Sequence, residues 1–396
     1  MVSTKQHSYP RSASLHNKCE RKNNLRGVRE PATRQAVGMN RRQPFREIAT
    51  AAALAAVLAL AGCSTAPKTP KTYLYFPPPP DEPRIQFLTS FSSERGYAGT
   101  SRFMDYVVGT EKTDAPFAKP YGITIRQGKL YVCDSVPAAI EILDLSKRKL
   151  SYFGSSGEGR MRLPINVAVD ADGTRYVTDT TRGQVLIYSK AEDYLGAIGK
   201  KDESKPVGVA IAGNRLYVTD LKNHSVRVYD KTKRELLFSI PRNPADQKSR
   251  LLSPTNIAID REGRLYVSDT GAFLIQIYDA DGAYLRTIGE QGLSPGNFAL
   301  PKGIAVDREG RVYVVDAATQ VIQIFDAEGR ILMYFGNPKV DGPGGTDLPA
   351  GIAVDYDHLK YFQKYASPDF KVEYLIFITN QYGGHKVSVY GFGRKK

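Results

Sequence analysis

The sequence predicts an all-β fold: a six-bladed β-propeller whose ring is closed by an N-terminal strand. Three observations predict it. A unit of forty-odd residues recurs six times after about residue 117. Each copy holds four short apolar runs separated by turn residues, save the last, which has three. The composition, 24 Tyr and 35 Gly with no Trp in 396 residues, is that of β structure rich in turns.

Read from the N-terminus, the first 62 residues form a targeting segment. Arg41, Arg42 and Arg46 precede the apolar run IATAAALAAVLALA, Ile48 to Ala61. Fourteen residues are too few to span a bilayer but suit a signal-peptide core. Residues 1–38 are polar, basic and aperiodic, and Met39 opens a conventional basic stretch, so translation is expected to start there. The run ends in Leu60-Ala61-Gly62-Cys63, which resembles the bacterial lipobox. The resemblance implies cleavage before Cys63 and a diacylglyceryl group on its thiol. It also implies a lipid-anchored protein of the bacterial envelope. Ser64 then resembles an outer-membrane sorting signal. The formal charge of +14 suggests a nucleic-acid binder, but residues 1–62 carry 11 of the 55 basic and 3 of the 41 acidic residues. The remaining +6 on residues 63–396 is modest, and no nucleic-acid partner is expected.

Residues 63–83 hold seven prolines and no helical or strand period, as in a semi-rigid spacer. The propeller is expected over 84–396. Its clearest copies are LSPTNIAIDREGRLYVSDTGAFLIQIYDADGAYLRTIG (252–289) and LPKGIAVDREGRVYVVDAATQVIQIFDAEGRILMYFG (300–336). Asp-Arg-Glu-Gly and Asp-Ala-Asp-Gly supply tight hairpin turns, with Gly where φ must be positive. The units resemble the NHL repeat in Pro-x-Gly/Asn-Ile-Ala-Val-Asp, Tyr-Val-x-Asp and Ile-x-Val-Tyr/Phe order. The last copy ends at Gly393 without a fourth strand, and residues 84–91, RIQFLTSF, match the missing run. Pairing them with the final blade removes an open sheet edge. Residues 92–116 are then expected to cross the top as a loop with a short helix. The insertion 355–375 breaks the period. Leu359, Phe362 and Tyr365 fall there on one helical face, expected to pack under the propeller.

Is the propeller an enzyme? Of the five histidines, His7 and His16 precede the mature chain. His224 and His385 sit just before third strands, and His358 lies in the insertion. Resemblance to the fold's lyases implies several channel histidines on zinc, and this pattern does not supply them. No metal and no cofactor beyond the Cys63 lipid are expected. The Asp of each Tyr-Val-x-Asp recurs in five copies, with Asn380 in the sixth, and so reads as a turn residue. Cys133 stands where other copies have Thr, Ser or Val, and reads as a packing residue.

Positions that differ between blades carry the function. Tyr121, Ile165, Val207, Thr255, Lys302 and Ala350 follow the proline at each inner-strand entrance and are expected to ring one channel mouth. Asn166 and Asn256 follow two of them, where other copies have Gly. Similar Asn residues are ligands in calcium-dependent lactonases of gluconolactonase type, which also need a channel Glu and Asp not found here. Arg182, Lys222, His224, Phe273 and Tyr382 lie in the loops before third strands, on the same face. A non-catalytic binding or assembly module is expected, facing an envelope protein or polysaccharide. The alternative is a metal-dependent lyase or lactone hydrolase in the channel.

Overall fold

The computed structural model describes residues 72–98, 117–243, 245–338 and 342–396. The expected signal peptide, residues 1–62, and with it Cys63 and Ser64, lies outside the described residues. Two strands come first, β1 (Tyr75–Phe76) and β2 (Ile85–Phe91), then a short helix α1 (Glu94–Ala98). Blade 1 contains β3 (Pro120–Arg126), β4 (Lys129–Asp134), β5 (Ala139–Asp144) and β6 (Lys149–Phe153). Blades 2 to 5 follow as β7–β10 (164–198), β11–β14 (206–240), β15–β18 (254–288) and β19–β22 (301–335). Blade 6 takes β23 (Pro349–Asp355), β24 (Phe370–Asn380) and β25 (Val387–Lys395). Every blade is an antiparallel meander, and the sixth has the order β1-β2-β25-β24-β23. The expected closure is present: Ile85 pairs with Phe392 and Phe91 with Val387. β1 adds a fifth strand from within the stretch expected to be only a spacer. Phe76 packs on Phe335 and Tyr390, which gives that strand an apolar reason to dock.

Side chains of a strand alternate between its two faces, so each blade feeds two seams. The core is accordingly six clusters, one per seam. The seam between blades 6 and 1 is the richest, because two extra pieces fill it. α1 docks there: Tyr97 donates its hydroxyl to the Leu145 carbonyl, and the Glu94 carboxylate accepts the Leu150 amide. The rest of the expected crossing, residues 99–116, lies outside the described residues. From below, the insertion folds into two 3-10 turns, Leu359–Tyr361 and Gln363–Tyr365. Phe362 between them is fully buried against Phe377, with Leu359 and Tyr365 beside it, as expected.

Five outer strands carry a one-residue bulge, each time at a leucine: Leu88, Leu195, Leu237, Leu285 and Leu332. The extra residue bends the strand and increases its twist. Leu88 is covered within the richest seam, whereas the other four are half exposed on the rim.

Candidate functional site

The repeated aspartates build one face. The Asp134 carboxylate accepts the amides of Ala118, Lys119 and Val136 at 2.6–3.1 Å. Asp179 binds Arg162, Leu163 and Arg182 in the same way, and Asp269 binds Leu252, Ser253 and Ala272. Each carboxylate thus staples the blade entrance to the loop before the third strand. In blade 6, Asn380 does the job with its amide, accepting from Asp347 and donating to the His385 carbonyl. These acids are consumed by backbone, as a buried charge requires. The staples also fix the entrance residues and the third-strand loops on one face of the ring.

The inner strands line a channel of ≈ 330 Å³. Its walls are Val, Ile, Ala and Gly, with Thr124, Asn166 and Asn256 as the polar side chains among the described lining. Neighbouring inner strands approach so closely at the upper end that a Cβ on Gly122 would lie 2.6 Å from the Ile165 carbonyl oxygen, and one on Gly303 2.5 Å from that of Ala350. Glycine is a packing requirement there. Asn166 and Asn256 both line the channel, in different states. The Asn166 Oδ1 accepts the Val167 amide. Asn256 is 4% exposed and its Oδ1 has no hydrogen-bond partner.

Above this ring stand the entrance side chains. The Lys302 ammonium lies 5.2 Å from the Tyr121 ring centroid, and Lys119 lies 5.1 Å from that of Tyr382. Burial, and next the charge of Lys119, push the Lys302 pKa down, while burial pushes that of Tyr121 up to about 12. Lys386 donates to the carbonyls of Ala118 and Gln381 at 2.8 and 2.9 Å, and burial lowers its pKa also. The structure therefore brings Tyr121, Lys302 and Tyr382 together and adds Lys119 and Lys386. Those two lysines flank the entrance proline and the last third-strand loop, positions outside the one-residue set read from the sequence.

The other expected face residues sit farther out on the rim. Arg182 donates to the carbonyls of Glu158 and Arg160, bracing the preceding loop. The Lys222 ammonium donates to the Asp202 carbonyl. His224 is scaffold: its Nδ1 bonds the Leu252 carbonyl, and its φ of 48° holds the left-handed turn into the third strand. Phe273 and Gln320 hold the same turn with φ of 59°, and Gly183 does so in blade 2. The other two described histidines are also engaged apart from it: His358 bonds Asp355, and His385 bonds Ser90 of the closing strand. Among the described residues no group of three or more His, Cys, Asp or Glu could hold a metal ion. Cys133 is fully buried, and burial pushes its thiol pKa well up, away from a reactive thiolate.

Comparison with known proteins agrees with this architecture. A six-bladed β-propeller family profile matches residues 247–390, and an NHL-repeat profile matches residues 204–229. Among solved structures, the chain is similar to a protein of unknown function from Bacteroides thetaiotaomicron, with 17% identity, 78% of this chain and 75% of that one covered, and a TM-score of 0.53. It is also similar to virginiamycin B lyase from Staphylococcus aureus, at 15% identity over 69% and 80% of the two chains and a TM-score of 0.48. A gluconolactonase from Xanthomonas campestris matches at 15% identity over 81% and 98%, with a TM-score of 0.49. At such identities the likeness is one of fold. The chain is an all-β, six-bladed β-propeller that carries the NHL repeat.

Proposed function

We propose that this protein is a lipid-anchored envelope lipoprotein, modified on Cys63, that works as a non-catalytic binding or assembly module. Its loop face engages an envelope protein or a polysaccharide, and the outer membrane is its place. The observation that carries the reading is the channel mouth. Lys119 and Lys302 each stand over a tyrosine ring there and have no carboxylate partner among the described residues. Cations with no structural task, on a face fixed by six staples, are what a docking surface needs.

A metal-dependent lyase or lactonase is the second reading. Its one supporting observation is the unpaired Oδ1 of Asn256 in the channel. The aliphatic walls around that atom favour the first reading.

The test is cross-linking mass spectrometry in intact cells that carry the lipidated protein. Cross-links to one envelope component are expected from Lys302, Lys222 and Lys205, the exposed residue before Pro206 whose amide donates to Asp220. Cross-links scattered over all faces of the propeller would defeat the reading. A Cys63→Ser variant is expected to leave the membrane fraction, and retention there would remove the lipid anchor from the account.

A further inference from the structure

We infer that the channel mouth is a site for an acidic sugar, a carboxylate-bearing residue of a polyuronate chain. The inference rests on the binding-module reading and names its ligand.

Three features at this place point to such a ligand. The first is charge without a partner. The ammonium groups of Lys119 and Lys302 make no hydrogen bond and no ion pair with any described residue. The Lys302 charge is costly where it stands: burial, and next the Lys119 charge, disfavour its protonated form. An anion placed between them relieves both effects at once. The Asp134 carboxylate beside this mouth is occupied by backbone amides, and Asp134 and Asp347 both act on Lys386.

The second feature is the aromatic surface between the charges. Lys302, Tyr121, Lys119 and Tyr382 alternate along the mouth. Tyr382 is 49% exposed, with open ring surface for the apolar face of a sugar. A free phosphate has no use for such a surface. The ammonium groups supply the charge for a carboxylate, and the tyrosine faces between them distinguish a sugar acid from a bare anion.

The third feature is an acceptor below the mouth. Asn256 follows the entrance residue Thr255 and is 4% exposed, and its Oδ1 has no partner. A buried carbonyl oxygen left unpaired is destabilising, and a donor that enters the channel relieves it. A sugar hydroxyl is such a donor. A uronate thus matches the mouth in two respects, carboxylate to ammonium and ring face to tyrosine, and the channel below adds an acceptor for a hydroxyl.

The test is isothermal titration of the full-length, detergent-purified protein with hexagalacturonate. Maltohexaose is the neutral control and inorganic phosphate the small-anion control. We expect micromolar-range binding of the hexauronate that weakens as salt rises, and none of maltohexaose. The double substitution Lys119→Met and Lys302→Met keeps the apolar stems, and should weaken binding at least about tenfold with an unchanged urea midpoint. Tyr382→Ala should weaken it by about fivefold. Lys302→Arg, which keeps the charge, should bind within about threefold of wild type and guards against a folding artefact. Equal binding by the double variant overturns the inference, as does equal affinity for maltohexaose or full competition by phosphate at the same concentration. If hexagalacturonate fails to bind while the loop-face lysines still cross-link to one envelope protein, the acidic-sugar inference falls and the binding-module reading stands. If both fail, both fall.

Discussion

At the scale of single residues, the aspartate staples and one glutamate decide most. Asp269 satisfies three backbone amides with one carboxylate. Asp269→Ala should cost about 3 kcal/mol, since it strands those donors in a buried place. Asp269→Asn should cost about 1 kcal/mol, because Asn380 already performs the role in blade 6. Urea unfolding of the two variants separates the cases, and equal losses would mean that the carboxylate acts through its charge instead. Glu141 is different. It is 7% exposed, its Oε2 has no partner, and burial together with the Asp134 charge pushes its pKa up to about 9. Between the ordinary carboxylate range and pH 9 the folded chain holds this proton and the unfolded chain has released it. Stability therefore falls as pH rises through that window. Glu141→Gln should remove the slope, and its advantage over wild type should grow by on the order of 3 kcal/mol between pH 5 and pH 8. A pH-independent difference in urea midpoints would refute this. The staples were legible in the sequence because they recur. Glu141 was not, although Gln276 and Gln323 hold the matching third-strand place and bind the preceding loops. The signal was a lone acid in a column of Gln, Leu, Arg and Ser, which can be read only once the strands are aligned.

At the scale of elements, strands followed from period and turns, while pairing detail did not. The leucine bulges arise from how many residues two strands count between fixed pairs, and no single strand states that number. Four rim leucines would make an apolar edge a liability, and the bulge beneath each bends that edge away from flat pairing. The seam-filling pieces were half legible. The apolar spacing of the insertion predicted its buried face, whereas nothing in the spacing of residues 92–98 predicted that α1 fills the same seam. Tyr97 places it there, because its ring packs on Phe91 and Phe362 and its hydroxyl reaches Leu145. Phe362→Ala should therefore cost about 3–4 kcal/mol by leaving a cavity where three elements meet. A loss under 1 kcal/mol in thermal unfolding would show that the insertion is only an appendage. Among the site residues, Tyr121 and Lys302 were legible as blade-to-blade differences at one repeat position. The neighbouring lysines were not, since their meeting at the mouth depends on ring closure.

At the scale of the whole molecule, the ring is built from six separate seams and one covalent gap. β25 runs down blade 6 and β2 runs back up beside it, in the relation that a hairpin supplies in every other blade. A circular permutant that joins Lys396 to residue 72 and opens the chain between residues 116 and 117 should keep the native unfolding temperature within about 5 °C. It should also refold several-fold faster, since the longest-range pairing becomes local. Stopped-flow refolding checks this, and an unchanged rate would place the barrier in another seam.

The closing strand also has a consequence for biosynthesis. β2 is among the first propeller segments to leave the ribosome, and β25, its partner, is the last. Ile85 cannot meet Phe392 until more than three hundred further residues have been made. The ring therefore stays open while the blades between them emerge, and it gains its sixth seam only when β25 arrives. That delay works like an unfastened clasp, which only a chain that already includes β25 can snap shut.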